Sequence, residues 1–167
     1  MDDSERLQFG EFVKHRLPAL FRYALVLAVD ARDAEDLVQE ALTRTGAAWW
    51  RVRRKDDPER YVRTIMTNIM SNRWRRGRRE ITVAELPERA VDDPSFARLP
   101  GMDGVDRVLA LLPPRMRAVI FLRYVEQLTE REIAQALGCS QGTVKSQAAR
   151  GLAKLRAALA DEEERHG

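Results

Sequence analysis

The chain has 167 residues, 44% hydrophobic and 33% charged, the balance of a globular protein with much solvated helix surface. No apolar run approaches the ~20 residues of a membrane span, and the acidic start Met1-Asp2-Asp3-Ser4-Glu5 lacks a secretory signal's basic-then-apolar layout, so a cytoplasmic location is expected. Cys139 is the single cysteine and His15 and His166 stand near opposite ends, which rules out an internal disulfide and leaves no metal-ligand spacing.

Net charge is only +3, but it is unevenly spread. Residues 30–42 carry five acids against Arg32, residues 43–79 carry twelve Lys/Arg against three acids, and residues 141–160 carry four Lys/Arg and no acid. One acidic and two basic segments on one chain imply two polyanion contacts and a separate basic partner.

In chain order, Leu7, Phe9, Phe12 and Val13 open a first helix that is expected to break at Pro18. Ala19 to Val29 form the next, and Asp30 or Asp33 caps a third that runs through Ala34–Leu42 toward Trp49. Trp49 and Trp50 are expected to pack its end. Arg51 to Asp57 form a basic-then-acidic loop, and Pro58 starts a fourth helix that reaches about Arg79. Pro87, Pro94, Pro100, Gly101 and Gly104 then mark a flexible linker. The reading is all-α: two small helical domains, 5–80 and 104–160, joined by a linker at 81–103, with a helix-turn-helix in the second.

That second block is the more explicit. Pro113-Pro114 precede a helix over Met116–Tyr124. Thr129 and Glu132 stand at capping-box spacing, Gly138 stops the helix and Ser140 caps the next after a short turn, which is a helix-turn-helix layout. At 100° per residue, Val144, Gln147, Ala148, Gly151, Leu152, Leu155 and Leu159 are expected to form an inner stripe. Lys145, Ser146, Ala149, Arg150 and Ala153 fall opposite, where small and basic residues suit entry into a major groove. Cys139, in the turn, reads as a small packing residue.

On the fourth helix, Val62, Ile65, Met66, Ile69 and Met70 fall on one face, Asn68, Asn72, Arg75 and Arg79 on a polar flank, and Trp74 on the other flank. Asparagines read base edges, arginines hold phosphate and an aromatic stacks, a set suited to opening or single-stranded DNA.

With these elements in place, Asp33-Ala34-Glu35-Asp36-Leu37-Val38-Gln39-Glu40-Ala41, the basic helix bearing Asn68 and Asn72, and Leu128–Arg156 with Gly142-Thr143-Val144-Lys145-Ser146 together resemble a two-domain sigma factor. The resemblance is to the extracytoplasmic-function type and, within it, to the actinobacterial sigma-E-like branch. The resemblance covers about 5–80 and 104–158. It implies that Asp33, Glu35, Asp36, Gln39 and Glu40 face the clamp of the largest subunit of RNA polymerase core, and that the second domain meets the flap of the second-largest. It further implies that Arg53 and Arg54 belong to a loop taking a flipped −10 base, with Asn68, Asn72, Trp74, Arg75, Arg76 and Arg79 also contacting −10 DNA. Thr143, Lys145, Ser146, Ala149 and Arg150 would contact the −35 element of promoter DNA. Gln147 and Ala149 depart from the residues common in relatives, so the −35 sequence is not inherited.

Such a protein carries no catalytic residue, metal, cofactor, small-molecule substrate or membrane contact, and an anti-sigma factor is an open addition to its partners. The chain shows no glycine-rich phosphate loop, nucleophile triad or carboxylate metal cluster, which argues against a helical nuclease. A stand-alone helix-turn-helix regulator is the main rival, but it leaves the charge layout of residues 30–79 unexplained.

Overall fold

The computed structural model describes residues 1–28, 30–80 and 109–167, with the side chains of 78–80 left aside; the linker expected at 81–103 lies outside the described residues. Every regular element among them is a helix: α1 (Asp3–Ala28), α2 (Ala31–Ala47), α3 (Trp49–Val52), α4 (Pro58–Glu80), α5 (Pro114–Tyr124), α6 (Glu130–Leu137) and α7 (Gln141–His166).

The break expected at Pro18 does not occur; α1 passes through it unbroken. Proline removes the N–H that would bond the carbonyl four residues earlier. Lys14 and Pro18 both lie on the exposed side of α1, where that carbonyl is open to solvent and its lost bond costs least. Of the two candidate caps for α2, Asp30 is the one used: its carboxylate accepts the N–H groups of Arg32 (2.7 Å) and Asp33 (3.4 Å). The third helix ends at Ala47, short of Trp49, which belongs to the single turn of α3. Trp49 is buried against Phe9 and Phe12, with ring centroids 5.2 Å apart in both pairs. Trp50 is 56% exposed, contrary to expectation, because neighbours on a helix point about 100° apart and only one can face inward. Asp57 accepts the N–H of Arg60 at 3.1 Å and so caps α4 ahead of Pro58.

The stripe expected on α4 is the one buried: Val62, Met66 and Ile69 are in the core, with Ile65 and Met70 packed at its margin. In the second half, Thr129 Oγ1 accepts the Glu132 N–H (3.2 Å) while Glu132 Oε2 accepts the Thr129 N–H (2.9 Å), closing the capping box. Gly138 takes the left-handed conformation (φ 66°, ψ 37°) that ends α6, and Ser140 Oγ accepts the Thr143 N–H at 3.1 Å to start α7. Where α5 crosses α7, Gly151 provides the clearance: a Cβ there would stand 3.0 Å from Ile120 Cδ1 and Met116 Cγ. α7 continues through the acidic residues Asp161, Glu162, Glu163 and Glu164 to His166.

The second half has a small cluster of its own, Leu109, Leu112, Met116, Ile120 and Leu155, while the larger core is common to both halves. One contiguous cluster runs from Leu20, Tyr23, Leu37, Val62 and Met66 to Phe121, Leu122, Ile133, Leu137 and Val144. Tyr23 and Phe121 meet across the junction with centroids 6.3 Å apart. Halves this small each bury little apolar surface alone, so sharing a core raises the buried fraction for both.

Candidate functional site

Three charged surfaces emerge from this packing. The first is α2. Ala34, Leu37, Val38 and Ala41 are buried, which by helical spacing turns Asp33, Glu35, Asp36 and Gln39 outward, all exposed. Glu40 differs from them. Its two carboxylate oxygens accept Arg44 Nη2 and Arg73 Nη2, each at 2.6 Å, so it ties α2 to α4.

The second surface lies on α4 and the loop before it. Arg54 is exposed, whereas Arg53 is turned back onto α1, paired with Glu5 at 3.2 Å and bonded to Gln8 Oε1 at 3.3 Å. Asn68 and Asn72 sit one turn apart on the exposed side, as expected. Asn68 Oδ1 accepts Arg115 Nη2 from α5 (3.3 Å), and Asn72 Oδ1 accepts Arg75 Nη2 (2.6 Å). Arg75 and Arg76 are exposed, and the side chain of Arg79 lies outside the described residues. Trp74 is half-buried against the second half, with the Arg117 guanidinium 5.8 Å from its ring centroid.

The third surface is the outer face of α7. Val144, Ala148, Gly151 and Leu155 are buried, and Lys145, Ser146, Ala149 and Arg150 are all exposed. Thr143 is half-buried at the cap, its hydroxyl 2.9 Å from that of Ser140. Beside Lys145, Glu130 approaches to 3.8 Å while accepting Arg123 Nη1 at 2.9 Å. Two capped helices, a glycine turn and a basic outward face make a unit shaped for the major groove.

Residues 12–80 match the family "Sigma-70 region 2" and residues 102–155 match "Sigma-70, region 4". The RNA polymerase sigma-E factor of Streptomyces coelicolor is 41% identical over 156 residues, covering 93% of this chain and 88% of that protein. The chain belongs to the extracytoplasmic-function sigma factors. The sigma-E factor of Streptomyces avermitilis is 40% identical over 160 residues, 95% of this chain and 89% of that one. The extracytoplasmic-function factor SigL of Mycobacterium tuberculosis is 35% identical over 149 residues, 84% of this chain and 82% of that one. The fold agrees with that of the sigma factor RpoE solved in complex with the anti-sigma factor NepR from Bartonella quintana. The TM-score is 0.67 at 24% identity, over 92% of this chain and 97% of that one.

Sequence reasoning about this sigma factor missed the polar contacts that join its halves. Arg63 donates to Glu126 through two nitrogens (2.7 and 3.3 Å) and to Glu59 (2.8 Å). Burial opposes the charge on Arg63, but the bonds and charges of Glu126 and Glu59 outweigh it and raise its pKa. Arg117 is 2% exposed and donates to the Val26 carbonyl at 3.2 Å, at the end of α1. Burial pushes its pKa down to about 10. One signal was in the sequence: Arg117 is the only charged residue between Met116 and Leu122. No helix of the described residues is long and apolar enough to cross a membrane.

Proposed function

We propose that this sigma factor docks on core RNA polymerase through the acidic face of α2 and reads promoters in two places. The −35 element is taken by the outer face of α7, and the −10 element by α4 with the loop before it. The observation that carries the reading is the pair of oppositely charged exposed faces, Asp33-Glu35-Asp36 on α2 and Lys145-Arg150 on α7. A basic polymerase clamp answers the first and duplex DNA the second.

Lys145, Ser146 and Arg150 are the side chains we assign to base edges and phosphates of the −35 element, with Thr143 and the small Ala149 permitting close approach. Asn68 and Asn72 are assigned to −10 bases, Arg54, Arg75, Arg76 and Arg79 to the backbone, and Trp74 to stacking. Glu40 and Arg53, both held by intramolecular bonds, are assigned to shaping these faces. Extruding a −10 base costs a few kcal/mol, which pocket contacts and neutralised phosphates offset. In this reading melting is driven by binding energy, and the chain performs no chemistry of its own.

The functional division is set at 5–80 for clamp and −10 contacts and at 104–160 for the −35 element and the polymerase flap. An anti-sigma factor is a further partner by analogy with the RpoE–NepR pair, and the protein is assigned to the cytoplasm, with the polymerase. A gel shift with and without core polymerase tests the reading: specific promoter binding is expected only with core. Tight specific binding by the free chain would favour a stand-alone regulator.

A further inference from the structure

We propose that Glu130 is a positioning residue for the −35 element, one that sets sequence selectivity by holding Lys145 over the base edges and away from the phosphates. The inference rests on the assignment of the outer face of α7 to the −35 element. The two acids in the first turn of α6 do different work. Glu132 closes the capping box, its carboxylate accepting the Thr129 N–H. Glu130 reaches sideways instead. Its Oε1 accepts Arg123 Nη1 of α5 at 2.9 Å, and its Oε2 stands 3.8 Å from Lys145 Nζ. The Glu130 side chain is 26% exposed and that of Lys145 67%, so the carboxylate is fixed on its sheltered side and offers its open side to the lysine. One carboxylate thus joins the end of α5, the start of α6 and the start of α7.

Without that neighbour, Lys145 is a compact charge on a flexible four-carbon stem, free to settle on the nearest phosphate. A phosphate contact adds affinity on any sequence and carries no base information. The ion pair with Glu130 alters that choice. An ammonium has three donors, so it can face Glu130 and an acceptor on a base edge, such as guanine O6 or N7, at the same time. The start of a recognition helix is the part that passes over base edges. A phosphate on the groove wall is reached only by swinging the stem away and giving up Glu130. The carboxylate therefore weakens the unselective contact and spares the selective one, which is discrimination by a built-in penalty on the wrong partner. Among the described residues Arg150, the other cation we assign to this element, meets no acid, so the restraint falls on a single side chain.

The test uses holoenzyme assembled on core polymerase and a promoter from which it initiates, with each −35 base pair replaced in turn and a scrambled −35 duplex as the unselective probe. Glu130→Gln is expected to bind the scrambled duplex about threefold tighter than wild type, the scale of one exposed ion pair. Its salt slope on that duplex should be steeper by about one, for one added phosphate contact. It should lose discrimination at one −35 position, the same one at which Lys145→Ala loses it. In the Lys145→Ala background, Glu130→Gln should move neither the slope nor the discrimination. Glu130→Asp keeps the acid at the start of α6 and shortens its reach by one carbon. It is expected to lose the same discrimination while keeping the urea midpoint of wild type. Glu163→Gln, the same charge change at an exposed position far along α7, is expected to match wild type. The proposal is overturned by equal gains in Glu163→Gln, by effects that survive Lys145→Ala, or by discrimination unmoved in both Glu130 variants. A loss spread evenly over all −35 positions, the mark of a purely structural role, also overturns it. Full discrimination at every −35 position in both Lys145→Ala and Arg150→Ala overturns the −35 reading of α7 itself. A position-specific loss in those two beside unmoved Glu130 variants sinks only the role of Glu130.

Discussion

The hydroxyl pair between α1 and α4 allows a prediction worked through atom by atom. Tyr23 and Thr67 are both fully buried, with their oxygens 2.7 Å apart. Thr67 Oγ1 also lies 2.9 Å from the Arg63 carbonyl, which can only accept, so the threonine hydrogen points there and Tyr23 donates to Thr67. Thr67→Val keeps the shape but leaves a buried phenol donor without an acceptor, a cost of about 1–3 kcal/mol. Tyr23→Phe removes the donor and leaves Thr67 its bond to the carbonyl, a cost of about 1 kcal/mol. With both changed, no donor is stranded, and the double variant should lose less than the sum, a coupling of about 1–2 kcal/mol.

The same pair sets a pH window. Burial, the largest cause, outweighs the hydrogen bond to Thr67 and the charge of Arg63, and raises the Tyr23 pKa from 10.0 to about 12. A folded-state pKa above the unfolded one means the contribution is complete below pH 10 and is lost as pH rises through about 12. Urea denaturation of the four proteins, repeated between neutral and alkaline pH, measures both effects. The reasoning is refuted if the two substitutions add, if Tyr23→Phe costs more than Thr67→Val, or if Tyr23→Phe leaves the alkaline loss unchanged.

Asp36→Lys should weaken core polymerase affinity about tenfold, on the order of 1.4 kcal/mol, with the unfolding midpoint unmoved; unchanged affinity in a binding titration contradicts the docking face. Glu40→Lys should instead lower stability, by no more than about 1 kcal/mol because its ion pairs are partly solvated. Replacing Lys145 or Arg150 by alanine should reduce the salt slope of promoter binding by about one each and cut −35-dependent initiation. An equal loss on a promoter with a scrambled −35 element contradicts the assignment of α7. Gly151→Val should cost about 1–3 kcal/mol in urea denaturation, since its side chain must displace Ile120 and Met116 at the α5–α7 crossing; an unmoved midpoint would show that the crossing has slack.

The helix-turn-helix was legible because its signals are local. Thr129, Glu132, Gly138 and Ser140 act within a turn of their own position, and all four do what their spacing implies. The buried stripe of α4 was legible for the same reason, through helical periodicity. What the sequence did not carry was the identity of partners. Periodicity says that Tyr23 and Phe121 are buried but not that they meet, so the shared core was invisible. The ion-pair partners of charged residues were hidden in the same way. Glu40 and Arg53 look like their exposed neighbours along the chain, and only the fold shows Arg44, Arg73 and Glu5 beside them. At Pro18 the local rule failed because the residue lies on the exposed side of α1, where the lost hydrogen bond costs least. The family itself was carried by the acidic Asp33–Ala41 segment, whose exposure on α2 follows from its buried apolar neighbours.

The central claim is that this chain confers promoter choice on a polymerase that lacks it. Run-off transcription on a genomic fragment library, with core RNA polymerase from the same cell type and with or without the chain, tests it most directly. The account predicts discrete transcripts that require both proteins, share upstream elements near −35 and −10, and fade with Asp36→Lys and with Lys145→Ala. Transcripts that are the same with and without the chain would contradict it.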